Sequence, residues 1–266
     1  MKRQGWMAAA WLIALVLAAV FAPAVANFDP YSGSADSLLP PFTQGHWFGT
    51  DDLGRDIWAE TVFGARVSLI VGVSAALLGA IVGVAMGALA GWHRGAVDAT
   101  LMRLTEFFQI LPRFVLAMIV IALFGPGIGK VILVITVLAW PQTARMVRAS
   151  VATLRRAPFV EAARIGGMPG SRVLMQEVVP NVLAPVIVLA AMDVAAAILL
   201  EAGLGFFGLG DPNLVSWGAM LNEAQQYLRS AWWMAVFPGA TIALTVLAFN
   251  RLADVLNAGL DPRGRS

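Results

Sequence analysis

The chain has no cysteine, which excludes disulfides and thiolate metal ligation and leaves the compartment open. Histidine is almost as rare, with only His46 and His93, so no metal-hydrolase or histidine-triad arrangement is available. Charge is scarce as well: 13% of the 266 residues are Asp, Glu, Lys or Arg, against about 25% in an ordinary soluble domain. The net charge is only +2. In so apolar a chain, basic residues report orientation, and no nucleic-acid partner is expected.

What is abundant is apolar sequence. Hydrophobic residues make up 59% of the chain, and the mean hydropathy is +0.77. The excess falls in blocks of about 20 residues, the length a helix needs to cross a bilayer. Six spans are predicted, at about 6–26, 67–92, 106–124, 131–144, 178–204 and 233–256. Ala24-Val25-Ala26 resembles a leader cleavage site, but the apolar run before it exceeds the usual core of about 7–15 residues. An uncleaved first helix is expected.

Six spans put both termini on one side. Lys2, Arg3, Arg94, Arg103, six arginines between 145 and 177, Arg251, Arg263 and Arg265 then share that side. Only Arg55, Arg66, Lys130 and Arg229 fall opposite. The positive-inside rule makes the basic side cytoplasmic. The expectation is a single all-α polytopic membrane domain over 1–266, N-in and C-in. Residues 27–66 would form an outer loop and 145–177 a cytoplasmic one. Gly79, Gly83, Gly87 and Gly91 in the second span share one helix face, and such spacing lets a neighbouring backbone approach closely.

Two nucleotide-binding look-alikes fail on context. Gly203-Leu-Gly-Phe-Phe-Gly208 matches GxGxxG, but a dinucleotide site needs that pattern between a strand and a helix. Here it ends an apolar helix, where glycine lets the chain turn. Gly129-Lys130 hints at a phosphate loop, yet Phe124 stands where its first glycine should be, and Val131 replaces the hydroxyl residue. No ATP site is visible.

The most informative stretch is Glu161-Ala-Ala-Arg-Ile-Gly-Gly-Met-Pro-Gly170 and onward to Pro180. Ala162 and Ala163 give a thin, helix-favouring face, and Gly166, Gly167, Pro169 and Gly170 enforce a turn. Arg164 and Arg172 offer charge to an acidic or carbonyl-lined partner. This spacing, between the fourth and fifth spans, resembles the EAA loop of ABC importer permeases. The segments His46 to Asp56, Gly64 to Leu69, Gly205 to Gly210, Trp217 to Leu221, Pro238-Gly239, Leu247 to Asn250 and Leu260-Asp-Pro262 resemble the C-type subunit of the dipeptide, oligopeptide and nickel class. Glu177 and Val179 replace the usual isoleucine and leucine before the proline.

The resemblance implies a type I ABC importer transmembrane domain in a bacterial inner membrane, non-catalytic in itself. It implies a homologous second permease, two ATP-binding subunits that use ATP and magnesium, and a periplasmic substrate-binding protein. This chain would bind no cofactor and no metal. Glu161, Ala162, Ala163, Arg164, Gly167, Gly170 and Pro180 would couple it to the ATPases. Peptides are the first expectation for the cargo, with nickel or another small solute as the alternative.

Carboxylates within the spans are functional candidates by default. Asp193 and Glu201 of the fifth span are therefore candidate path residues, Asp193 meeting a cationic group; an inter-helix bond is the competing expectation for Asp193. Glu106 and Arg113 are expected to snorkel at an interface. Asp193 would also be the sole coupling site of an ion-driven secondary transporter, but that class commonly shows internal repeats, and none is seen. A membrane-bound enzyme lacks any visible nucleophile, base or metal constellation.

Overall fold

The computed structural model describes residues 2–260 and the side chains of residues 5–259. The Asp261-Pro262 part of the C-terminal match, Arg263 and Arg265 lie outside the described residues, as do the side chains of Lys2, Arg3 and Leu260. The elements are α1 (Lys2–Val20), α2 (Ala22–Val25), α3 (Ile57–His93), α4 (Gly95–Ile110), α5 (Arg113–Phe124), α6 (Ile128–Leu154), α7 (Pro158–Ile165), α8 (Gly170–Val173), α9 (Val179–Phe206), α10 (Trp217–Ala224) and α11 (Trp233–Leu260). A π-helical turn, Leu174–Val178, joins α8 to α9. Among the described residues there is no strand, only two isolated bridges in the loop before α3.

Four helical segments are long and apolar enough to cross a membrane: α3, α6, the α8–α9 unit and α11. α4 and α5 qualify only as a pair, bent by 85° at Leu111-Pro112. The apolar part of α1, Gly5–Val20, is a shorter helix. It lies along α11, with Ala8 and Leu12 against Ala248 and the Trp11 indole donating to Thr245 Oγ1 at 3.3 Å.

The spans differ in extent from the sequence expectation wherever polar residues sit inside helices. The supposed outer loop 27–66 ends at Asp56, whose carboxylate caps α3 by accepting from the Ala59 amide at 2.7 Å. Glu60 and Arg66 therefore lie on helix, each held by a polar partner. The connection at 93–103 is mostly α4, and the third span is two helices, because Pro112 cannot continue the first. The loop expected at 145–177 shrinks to about 155–169, since α6 runs on to Leu154 and α8 begins at Gly170. Arg148 extends α6 usefully by gripping Asp98 of α4 with two bonds, at 2.7 and 2.6 Å.

The bundle has two distinct ends. At one, the loop before α3, the Gly125 turn and α10 gather; Asp211 accepts from the Ile128 amide there at 3.3 Å. At the other lie the start of α1, the end of α11 and α7. The glycine stripe fixes the central crossing. A Cβ on Gly79 would meet Ala139, on Gly83 Thr143, on Gly87 the Ala144 carbonyl and on Gly91 the Arg148 carbonyl. All four glycines thus face α6 of the same chain.

Candidate functional site

α7 opens with Pro158 in its first turn, where a missing amide hydrogen costs nothing. Val160 is fully buried in a cluster with Trp92, Val151 and Val173, and Ala163, three residues on, packs against it. The opposite face is left open: Glu161 and Ala162 are exposed, and Ile165 is 88% exposed. An eight-residue helix with one buried face and a thin apolar outer face can enter a groove on another protein.

The end of α7 is built by its glycines. The Met168 amide donates to the Ala163 carbonyl at 3.1 Å and the Gly167 amide to Arg164 at 3.0 Å. This is a Schellman ending, and it requires the left-handed φ of +84° at Gly167. Pro169 then starts α8, and Gly170 faces the Trp92 ring. The π turn Leu174–Val178 follows, its last bond running from the Val179 amide to the Leu174 carbonyl. Pro180 lacks the next donor, so widening the helix just before it relieves both the lost bond and the ring clash. The Asn181 side chain takes up the Glu177 carbonyl at 2.6 Å.

Trp92 is the residue that the sequence reading missed. It ends α3, and the Arg164 guanidinium lies 4.7 Å from its ring centroid, with Arg155 at 5.6 Å. Arg155 also donates to the Trp92 carbonyl at 2.5 Å. The only hint in the sequence is a tryptophan one residue beyond the glycine stripe. Burial and the neighbouring cations Arg94, Arg164 and Arg156 lower the Arg155 pKa, a sign that this end of the bundle concentrates positive charge. Of the expected coupling residues, Glu161 to Gly170 are together on this surface. Pro180 stands apart at the start of α9.

Asp193 and Glu201 are not brought together. Glu201 is 4% exposed and accepts from Ser68 Oγ at 2.9 Å, beside a void of about 10 Å³ shared with Ser216 and Asp211. Asp193 opens instead into a cavity of about 90 Å³ between α5, α6 and α9, lined also by Arg113, Ala139 and Ala196. Arg113, an exposed residue, thus forms part of the wall of that cavity.

A third polar centre lies at the opposite end from α7. Arg55 donates to Asp51 and to Glu223, each at 2.5 Å, and its Nε lies 3.3 Å from Glu60. Burial alone would lower the Arg55 pKa, but Glu60, Asp51 and Glu223 together hold it above the ordinary arginine value. His46 meets Asp56 at 2.7 Å, and the Trp233 indole donates to the Thr50 carbonyl at 3.1 Å. Asp51, Glu60 and Glu223 are spaced closely enough for a cation, and the Arg55 guanidinium already fills that role. Residues 46–56 therefore tie the loop to α3, α10 and α11.

The structure resembles that of the MetNI methionine ABC transporter in an inward-facing conformation, with a TM-score of 0.56 at 20% identity, covering 74% of this chain and 96% of that one. Two relatives match nearly throughout. The putative peptide transport system permease protein of Brucella suis biovar 1 is 40% identical over 253 residues, covering 95% of this chain and 85% of the relative. The dipeptide transport system permease protein DppC of Escherichia coli K12 is 40% identical over 260 residues, covering 95% and 87%. The model of the binding-protein-dependent transport system inner membrane component matches residues 83–266. With that match over more than half of its length, two such relatives and a helical bundle that presents α7, this chain belongs to the family of binding-protein-dependent transport system inner membrane components.

Proposed function

We propose that this chain is the C-type permease of a peptide importer, moving di- and oligopeptides across a bacterial inner membrane on ATP hydrolysed elsewhere. The relatives named for peptide and dipeptide transport support the cargo. Counting α1 and the α4–α5 pair as spans gives six crossings, with both termini and α7 cytoplasmic. The arginines around α7 favour that orientation by the positive-inside rule. The partners are a homologous permease, two ATP-binding subunits that bind ATP and magnesium, and a periplasmic binding protein that docks on the loop end. This chain itself binds neither nucleotide nor metal.

The observation that carries the reading is α7, held by Val160 and Trp92 while Ala162 and Ile165 face outward. Movement of an ATPase groove around α7 would pass through Trp92 into α3, and through the α3–α6 crossing into the bundle. Co-purification in mild detergent tests this with wild type and Ala162→Arg, an exposed substitution that leaves the buried face intact. The second permease should remain with both forms, and the ATPases should leave the variant. ATPases bound equally to both would remove α7 from the interface.

A further inference from the structure

Polar side chains from three helices gather at one depth, and a fourth helix adjoins them. Counting from the end that carries the Gly125 turn at 1.5 Å per residue, Arg113 on α5 lies about 17 Å in, Asp193 on α9 about 20 Å and Gln142 on α6 about 21 Å. All fall inside a hydrocarbon layer of about 30 Å. The Arg113 guanidinium reaches to 3.5 Å from Gln142 Oε1, and Arg145 donates to Gln109 of α4 at 2.5 Å. Asp193 is 7% exposed and makes no hydrogen bond or ion pair to any described residue, although it lines the same cavity as Arg113.

Against lipid, such a strip would be costly at this depth, so it faces water or protein. Its chemistry is bipolar. Asp193 is an unpartnered carboxylate, and Arg113 opens α5 without a side-chain cap, so its cation adds to the free amides and positive dipole of a helix start. A metal ion would find one carboxylate and a repelling guanidinium there, a poor ligand set. A small zwitterion fits both poles.

We propose that Asp193 and Arg113 form a subsite in the wall of the translocation path that receives peptides with free termini. Asp193 meets the α-ammonium; Arg113 and the start of α5 meet the carboxylate. The proposal rests on the reading of the chain as a peptide importer subunit. It explains why α5 is short: the break at Pro112 places a helix start and its arginine inside the membrane instead of at its surface.

The chain lacks cysteine, so single cysteines can be read by the mass shift of this chain alone, in the assembled complex in proteoliposomes. Ala196→Cys lies on the cavity; Leu247→Cys, exposed on α11 about 21 Å from its start, is the control at equal depth. A water-soluble cationic thiosulfonate should label Ala196→Cys at least about tenfold faster than Leu247→Cys, given how poorly charge enters lipid. Dialanine should slow that labelling, and Asp193→Asn should abolish the preference for the cationic over the anionic reagent. Asp193→Asn and Arg113→Gln should each cut dialanine transport while ATPase subunits stay bound. Equal labelling at both sites, no protection by dialanine, or wild-type transport by Asp193→Asn would each overturn the subsite. A wild-type complex that holds ATPases but moves no dialanine would instead overturn the choice of peptide as cargo. The relative labelling rates would still decide whether the strip is wetted.

Discussion

The Arg164 guanidinium of α7 lies over the Trp92 ring at the end of α3, 4.7 Å from its centroid. Trp92 is largely buried and is also touched by Arg155 and faced by Gly170. One side chain thus joins the presented helix to the longest helix in the bundle. Trp92→Ala should cost about 3–5 kcal/mol of local stability and expose 155–170 to proteolysis, with loss of coupled ATP hydrolysis. Trp92→Phe keeps an aromatic face for the arginines and should recover most coupling. Full coupling in Trp92→Ala would remove Trp92 from the transmission route.

The glycine stripe predicts a graded series. A methyl at Gly87 would run into the Ala144 backbone carbonyl, which cannot move aside without shifting α6. At Gly79 the obstacle is the Ala139 methyl at 3.0 Å, which needs a displacement of only a few tenths of an ångström. Gly87→Ala should therefore lower the thermal midpoint clearly more than Gly79→Ala, by overpacking of about 1–3 kcal/mol. The reverse order, measured in detergent, would mean that the α3–α6 crossing is looser than drawn.

The legible part of this molecule was what repeats or punctuates. Apolar blocks located the four long helices, the four-residue glycine spacing located the tight helix pair, and Gly-Gly-Met-Pro located the end of α7. Hydropathy misjudged helix ends because Arg66, Arg145 and Arg148 are charged yet lie on helix, each satisfied by a partner far along the chain. Such partners carry no local signal. For the same reason the placing of Arg113 and Asp193 on one cavity, and the stacking of Arg164 on Trp92, could not be read from spacing. Asp193 and Glu201, two turns apart in the sequence, both read as candidate path residues. The structure separates them because Ser68 claims Glu201 while Asp193 faces α5.

Gly167 separates conformation from docking. Its φ is +84°, but no atom lies within 4 Å of where a Cβ would stand. A side chain there meets open space and is strained only by the backbone, by about 1–2 kcal/mol. Asparagine tolerates this region better than valine, so Gly167→Asn should keep the fold, and Gly167→Val should fray the end of α7. If both variants lose the ATPases alike while the chain stays folded, side-chain bulk at the interface is the cause. If only Gly167→Val loses them, the cause is the helix ending.

Arg55 gives the sharpest stability prediction. Its guanidinium holds three carboxylates, of which Asp51 and Glu60 are almost fully buried. Arg55→Gln leaves their charge uncompensated and should cost about 3–5 kcal/mol, as when one partner of a buried ion pair is removed. The pH dependence has a definite sign. Burial raises the Glu223 pKa even with Arg55 opposing it, so the folded state holds this proton more tightly than the unfolded state. Stability from this group is therefore present at low pH and is lost as pH rises through its folded pKa. Without Arg55 the opposing pull is gone, so the loss with rising pH should be steeper in the variant than in wild type. Adding Glu223→Gln to Arg55→Gln removes one unpaired carboxylate and should return part of the lost stability and flatten the slope. Thermal melts of the three proteins from about pH 4, near the ordinary glutamate pKa, up to about pH 8 give the answer. An Arg55→Gln profile parallel to wild type would mean that water, not the arginine, balances this cluster.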